Sequence, residues 1–247
     1  MVSKSEHGSI LFIILVAIVL FAALSVTVSN MLRGGERSAG KEQASMNAYD
    51  ILNQARIMKD AVQYMRISND CADTDISFES FALTGYEHSP DASDLCKLFH
   101  PDGGGISYLS VPAAWLDASK SSNNHYGEWF FSGENAVLGV GTSVPDNGTC
   151  VTGTSCIDLI AFVPYLDREI CLSINQKLGL DGAIDLIPQQ DNGPTRMDNK
   201  FAGIYGTLDQ DIDGASYDGQ HAGCTQATSG GTAGADAYFF YQVLLAR

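Results

Sequence analysis

The sequence predicts an α+β protein, in which a long N-terminal helix precedes a loop-rich antiparallel β-sheet domain stapled by disulfides. Three observations support this fold class: an uncharged apolar run near the N-terminus, apolar residues at helical spacing after it, and short β-rich runs with six cysteines beyond residue 68. The pattern divides the chain into a leader (1–8), an apolar helix (9–32), an amphipathic helical extension (33–68) and an α+β domain (69–247).

The apolar helix has no formally charged side chain between Gly8 and Leu32, and Ile10–Leu24 consists only of Ile, Leu, Phe, Val and Ala. With Val26 and Val28 the stretch reaches about 20 residues, or roughly 30 Å of helix, which is the thickness of a bilayer core. The sequence therefore predicts one membrane-spanning helix.

An amphipathic helix is predicted directly after a loose patch at Gly34, Gly35 and Gly40. The stretch Lys41–Ile67 contains no Gly or Pro. Its apolar residues recur three and four positions apart, which is the spacing of one helix face. They are Ala48, Leu52, Ala55, Met58, Val62 and Met65.

All six cysteines lie beyond this helical region, as expected if the downstream part folds in an oxidising compartment outside the cytoplasm. Six cysteines allow 15 pairings. Proximity along the chain favours Cys71–Cys96, Cys150–Cys156 and Cys171–Cys224. No Cys-x-x-Cys pair is present, so zinc is the weaker interpretation.

Three processing fates fit the N-terminal segment. A secretory signal would be cleaved at Ala23-Leu24-Ser25, which leaves a soluble domain beginning at Val26. A signal anchor would keep Met1. In the third fate the short polar leader is cut after Gly8 and the apolar helix is retained.

The third fate rests on a resemblance. A polar leader ending in Gly8, an apolar helix directly after it and an amphipathic extension together resemble type IV pilins and type II secretion pseudopilins, and also pilin-like proteins of Gram-negative bacteria. The resemblance covers residues 1–68. It implies cleavage of the Gly8–Ser9 bond, an N-methylated Ser9, and a helix that waits in the inner membrane before packing against other pilin-like subunits.

One position departs from the family. The acidic residue that these proteins carry at the fifth mature position is replaced here by Ile13. Some minor subunits, including the pseudopilin at the filament tip, also lack it. The resemblance therefore implies a minor or tip role, in the periplasm or on the cell surface, rather than a shaft role.

In the domain, strands are predicted at Gly127–Phe131, Ala136–Val140, Ile157–Val163 and Tyr238–Leu245, the last as a central buried strand. A short helix is predicted over Asp167–Lys177, with Asp167 as its N-cap. Residues 71–126 and 180–236 are predicted to be mainly irregular.

A calcium site is the sharpest local hypothesis. Asp209, Asp211, Asp213 and Gly214, followed by Asp218, match the opening of an EF-hand loop, in which alternating carboxylates converge on Ca²⁺. The twelfth position is Gln220 instead of a bidentate Glu. A solvated acidic loop is the alternative.

The acidic charge of the domain and its lack of catalytic motifs narrow the range of possible functions. Residues 69–247 carry 7 basic and 24 acidic side chains, a net charge of −17, which disfavours nucleic-acid binding and leaves cations and basic partners. No nucleophile elbow, phosphate loop or zinc-protease motif accompanies the histidines, so no enzyme is predicted. These histidines are His7, His88, His100, His125 and His221.

Three hypotheses remain open. The first is a pilin-like or pseudopilin-like filament subunit with a structural or adhesive role. The second is a signal-anchored periplasmic or surface domain that binds a ligand and does not polymerise. The third is an exported hydrolase, for which His125, close in sequence to Trp129, is the residue to test.

Overall fold

The computed structural model describes residues 7–142, 156–180, 187, 199–206, 210–212, 216–227 and 237–247. Side chains 7–11, 26–39, 210 and 211 lie outside this description. The chain forms two compact units, Met1–Gln43 and Ala44–Arg247.

Helix α1 runs from His7 to Ser68. The backbone is helical through Gly34, Gly35 and Gly40, so the predicted loose patch between two helices is wrong. A glycine in a helix costs only about 1 kcal/mol relative to alanine, and strong helix formers stand on both sides of these three.

The part of α1 within the second unit buries one face. Ala48, Ala55, Met58, Val62 and Met65, all predicted from the spacing, are at most 5% exposed, and Leu52 is partly buried. They share a hydrophobic core with Trp129 and Phe131. The predicted amphipathic pattern is therefore confirmed.

Within the described residues, five strands and one further α-helix follow. The strands form one sheet in the order β3-β1-β2-β5-β4. Pairing is antiparallel throughout β1-β2-β5-β4, whereas β3 runs parallel to β1. The elements are β1 (Phe130–Val137), β2 (Asp158–Leu166), α2 (Arg168–Leu178), β3 (Gln210–Ile212), β4 (Ala222–Gln226) and β5 (Tyr238–Leu245).

The two central strands are buried on both faces. All nine residues of β2 and seven of the eight in β5 are buried, which confirms the prediction of a central buried β5. Alternate side chains enter two different cores: Phe240 packs in the core that contains α1, and Phe239 and Tyr241 pack in the other.

A single strand, β1, lies where the sequence predicted two separate strands, Gly127–Phe131 and Ala136–Val140. The polar stretch between Phe131 and Ala136 favours a turn by composition, yet the strand continues through it, with a shift of register between Ser132 and Asn135. A β-bulge of this kind accommodates residues with poor strand propensity. Gly133 also makes room for Phe201, whose ring would lie 2.7 Å from a Cβ at that position.

Strand β2 extends beyond its predicted end at Val163. The next residue, Pro164, cannot donate a ladder hydrogen bond. In the structure the register shifts between Pro164 and Leu166, and Tyr165 takes the left-handed conformation with φ 61°. The proline therefore lies next to a bulge, where strands tolerate it.

Helix α2 is confirmed with its cap. An Asp167 side-chain oxygen accepts a hydrogen bond from the Glu169 N–H at 2.9 Å. At the other end Gly179 adopts a left-handed conformation, and its N–H donates to the Gln176 carbonyl. An aspartate N-cap and a left-handed glycine after the last turn are common features of helix ends.

Strand β4 was not predicted. Its sequence, Ala-Gly-Cys-Thr-Gln, has weak strand propensity, and it is held by long-range contacts. The Asn175 side chain of α2 accepts from the Cys224 N–H at 2.9 Å and donates to the Cys224 carbonyl at 2.7 Å. The hydroxyl of Tyr217 donates to the same carbonyl at 2.7 Å.

Two of the predicted disulfides are confirmed, Cys71–Cys96 and Cys171–Cys224. Cys156 is disulfide-bonded, and its predicted partner Cys150 lies outside the described residues. Residues 71–126 contain short 3-10 turns and isolated bridges, in agreement with the predicted irregular, disulfide-pinned region.

Phe131 provides a test of the core. Its ring is fully buried and stacks on Phe78 with centroids 4.0 Å apart. We expect Phe131→Ala to lower the free energy of unfolding by about 3–5 kcal/mol, because the substitution leaves a cavity. Urea unfolding with the disulfides intact measures it.

Phe81→Ala is the matched control, since this ring is fully exposed on a turn. It should change stability by less than about 0.5 kcal/mol. Equal effects of the two substitutions would contradict the assigned core.

Candidate functional site

The helical segment 12–25 exposes every side chain. These side chains are distributed over all sides of the helix, so exposed apolar surface is present all around it. Ser25 turns its hydroxyl back to the Phe21 carbonyl at 2.9 Å, which satisfies a polar group within the helix. The large exposed side chains are Phe12, Ile13, Ile14, Leu15, Val16, Ile18, Val19, Leu20, Phe21 and Leu24.

Such a surface needs an apolar environment, because leaving apolar area in water costs roughly 25 cal/mol per Å². Lipid or the helices of other subunits would supply it. Across the residues whose side chains are described, we find no helix with the length and hydropathy needed to cross a membrane.

The predicted processing site lies at the start of α1. The backbone is helical at Gly8 and Ser9, and their side-chain surroundings lie outside the described residues. Ile13 is exposed.

A second apolar surface lies on the part of α1 in the second unit. We call it the outer stripe: Met46, Tyr49, Ile57, Tyr64 and Ile67, all exposed, with Ile67 at 80%. At about 100° per residue they fall within an arc of roughly 80°, opposite the buried face. Asn53 and Asp60, which are also exposed, fall within the same arc, so this side of the helix is mixed and its apolar residues are interspersed with polar ones.

A shallow apolar groove borders the outer stripe at Ile57. Leu109, Phe99, Tyr108 and the buried Trp129 contribute to its walls. Its volume of about 60 Å³ is small. The groove extends the apolar surface of the stripe onto the disulfide-pinned region.

A polar cluster surrounds Glu128. Its Oε1 lies 2.5 Å from Nδ1 of His125 and 3.4 Å from Nζ of Lys200. The contact with His125, together with the charge of Lys200, holds the pKa of Glu128 below its usual range. Lys200 also donates to the Thr84 carbonyl at 3.0 Å and lies over the Tyr86 ring.

This cluster connects two loops, because His125 and Glu128 lie in one and Lys200 lies in another. His125 adopts φ 65° and its ring packs 4.5 Å from that of Phe130. In the described part of the chain no Ser, Thr or Cys side chain is hydrogen-bonded to His125. The arrangement thus pairs a histidine with a carboxylate and adds no nucleophile to them.

A second polar cluster joins Asp158 and Arg247. The buried carboxylate accepts hydrogen bonds from the backbone N–H groups of Val137 and Arg247, both at 3.0 Å. Burial outweighs these donors and raises the pKa of Asp158 to about 7. The Arg247 guanidinium lies over the Tyr205 ring and 3.5 Å from Asp73, which also pairs with Arg66 at 2.7 Å.

The predicted calcium ligands fall largely outside the description. Asp209 and Asp213 are not described, and for Asp211 only the backbone, in β3, is described. Asp218 is exposed in a turn. Within the described residues no three His, Cys, Asp or Glu side chains form a group that could hold a metal ion. The calcium site stays a prediction.

The other histidines are dispersed. His100 lies 3.8 Å from carboxylates of Asp94 and Asp102 at the surface. His88 and His221 have pKa values lowered by burial. His7 begins α1, and its side chain is outside the description. The structure therefore does not bring the described histidines into one site.

No protein-family model, curated protein or solved structure matches this chain. Among the described residues, the exposed apolar surfaces of α1 are the features that most directly indicate a function.

Asp158 makes stability depend on pH. Its carboxyl has a pKa near 3.8 when unfolded and about 7 when folded, so ionisation is more costly in the folded protein. Below pH 4 this group should not affect the free energy of unfolding. As the pH rises from 4 to 7, the free energy of unfolding should fall by up to about 4 kcal/mol, and above pH 7 it should level off.

Asp158→Asn should remove this fall, as measured by urea unfolding between pH 4 and pH 8. Asp60→Asn, at an exposed position of α1, is the matched control and should keep the slope of the parent protein. A parent-like slope in Asp158→Asn would contradict the assignment.

Proposed function

We propose that this chain is a pilin-like or pseudopilin-like minor filament subunit, with a structural or adhesive role outside the cytoplasm. In this proposal the leader is removed after Gly8, the N-terminal helix is held in the inner membrane, and it then packs against the helices of other pilin-like subunits. The disulfide-bonded domain faces the periplasm or the cell surface.

The observation that carries the proposal is the exposure of every side chain from 12 to 25. A helix that only had to cover its own domain would be apolar on one face, as the segment 44–68 is toward the core. Exposure all around is the pattern of a helix surrounded by lipid or by other helices.

Two further observations support it. The Cys71–Cys96 and Cys171–Cys224 disulfides fit folding in an oxidising compartment. The outer stripe gives the second unit five exposed apolar side chains on one side of α1. A subunit that packs through α1 would use both surfaces.

The N-terminus of the membrane-extracted protein distinguishes the three processing fates. We expect Edman sequencing and intact mass to give N-methylated Ser9 as the first residue. Gly8→Leu should leave the leader attached, because the resemblance implies cleavage directly after this glycine and a bulky side chain would stand next to the bond that is cut, whereas Ser5→Ala should be processed normally.

A start at Met1 would favour the signal-anchored ligand-binding domain, and a start at Val26 would mean a secreted soluble domain. Either result would overturn the filament proposal.

A charged substitution in the outer stripe should impair assembly without lowering the stability of the domain. Ile67→Glu should reduce the amount of this protein recovered in sheared filament fractions by about tenfold or more, because a charge facing an apolar partner costs several kcal/mol. Its thermal unfolding should stay unchanged, because the side chain is 80% exposed.

Leu95→Glu is the matched control, at an exposed apolar position outside α1. It should assemble normally. Normal recovery of Ile67→Glu in the same fractions would show that the stripe is not an assembly surface.

A further inference from the structure

A short basic segment of α1 follows the exposed apolar segment. Its basic residues are Arg33, Arg37 and Lys41. Helix α1 is continuous through this segment, so the positions of the three residues around the helix axis follow from the helical repeat. The whole segment belongs to the first unit, which ends at Gln43. We call residues 33–41 the basic collar.

The three basic residues share one face of the helix. Each lies four positions from the next, so at about 100° per residue they fall within an arc of roughly 80°. Glu36 and Glu42 are the acidic residues in and next to the collar, and they fall outside this arc, one on either side. Gly34 and Gly40 border the arc, and a Cβ at Gly40 would meet no described atom within 4 Å. This face therefore carries only positive charge and has glycines at both borders, where a bulky anion can approach the helix closely.

The collar opposes helix formation when no anion is bound. Like charges four positions apart on a helix repel each other, and Arg37 stands in this relation to both Arg33 and Lys41. Three glycines, which are poor helix formers, lie in the same segment. The backbone is nevertheless helical throughout. An anion against the basic face would reduce the repulsion and stabilise this part of the helix.

The position of the collar along α1 indicates which anion it meets. A helix rises about 1.5 Å per residue, so Arg33 lies about 36 Å and Arg37 about 42 Å along the axis from Ser9. The hydrocarbon core of a bilayer is about 30 Å thick, and the bilayer with its head groups is about 40–45 Å thick. With Ser9 at the inner surface of the membrane, both arginines lie at the level of the outer head groups.

The charge of the collar is opposite to that of the domain. Residues 69–247 carry a net charge of −17 and are repelled by an anionic surface. Lys41, at the end of the collar, is exposed. The collar therefore places a local positive charge where the apolar segment ends, and this charge favours contact with anionic head groups.

We propose that the basic collar binds the phosphate groups of anionic phospholipids in the outer leaflet of the membrane that holds α1. This binding rests on the proposed function in one respect, because it needs the apolar helix to be held in the inner membrane. The phosphates lie against the face that carries Arg33, Arg37 and Lys41. Arginine suits this role, because its guanidinium group can form two parallel hydrogen bonds to one phosphate. The bound lipid fixes the depth of α1 in the bilayer.

Electron spin resonance of spin-labelled lipids tests the proposal on the full chain reconstituted in phosphatidylcholine bilayers. The fraction of label whose motion is restricted by the protein is compared for phosphatidylglycerol and phosphatidylcholine. We expect phosphatidylglycerol to be selected by about fivefold, which is the ratio that one cation near an anionic surface supports. Salt at about 1 M should remove most of this selectivity, because it shortens the range of charge interactions to roughly 3 Å.

The double variant Arg33→Gln, Arg37→Gln should bind the two lipids almost equally. Glutamine has a helix propensity similar to that of arginine, so α1 should stay helical, as checked by circular dichroism. Arg56→Gln is the matched control, because Arg56 is a basic residue of α1 outside the collar, with 80% of its side chain exposed. It should keep the lipid selectivity of the parent chain.

Equal restriction of the two lipids by the parent chain, or equal loss of selectivity in the double variant and in Arg56→Gln, would overturn the proposal. Loss of selectivity on adding millimolar inorganic phosphate at constant ionic strength would identify free phosphate as the anion, and would also overturn it. Restriction of neither lipid would show that the helix is outside the bilayer, and the membrane step of the proposed function would then fail as well. Restriction of both lipids without selectivity leaves that step intact, so the two proposals can fail separately.

Discussion

The structure depends on the burial of β2 and β5 on both faces. Strands with apolar side chains on both sides must be covered on both sides, because exposed area of that kind is costly and invites aggregation. The part of α1 in the second unit, with the disulfide-pinned region, contributes to one core. Tyr217, Leu180 and Ile212 contribute to the other. The buried face of α1 is therefore part of what covers one side of the sheet.

Polar groups inside this framework are few and are held by defined partners. Asn175 binds both backbone groups of Cys224, and this fixes a weak strand next to β5. Asp158 accepts from two backbone N–H groups, and the low-dielectric surroundings still oppose its charge. Three buried atoms of the described residues are exceptions without a hydrogen-bond partner: Nε2 of His88, the hydroxyl of Tyr205 and Nη1 of Arg247.

Two kinds of surface follow from this architecture. Helix α1 offers apolar area at 12–25 and along the outer stripe, and apolar area selects partners by packing. The domain offers negative charge, which steers cationic partners and repels phosphate and anionic lipid. Helix α1 and the domain therefore offer chemically different surfaces, one with exposed apolar side chains and one with negative charge.

Local sequence patterns predicted the α+β class, the amphipathic face of α1, the cap of α2, the position of β5 and two of the disulfides. Each depends on local pattern: helical spacing, Asp167 before a helix, an aromatic and branched run, or cysteines close in the chain. Three features emerge only in the folded chain: the single strand β1, the pairing of β3 and β4, and the contacts of Glu128 with His125 and Lys200. These depend on partners distant in the chain, such as Asn175 for Cys224, and local propensity carries no information about them.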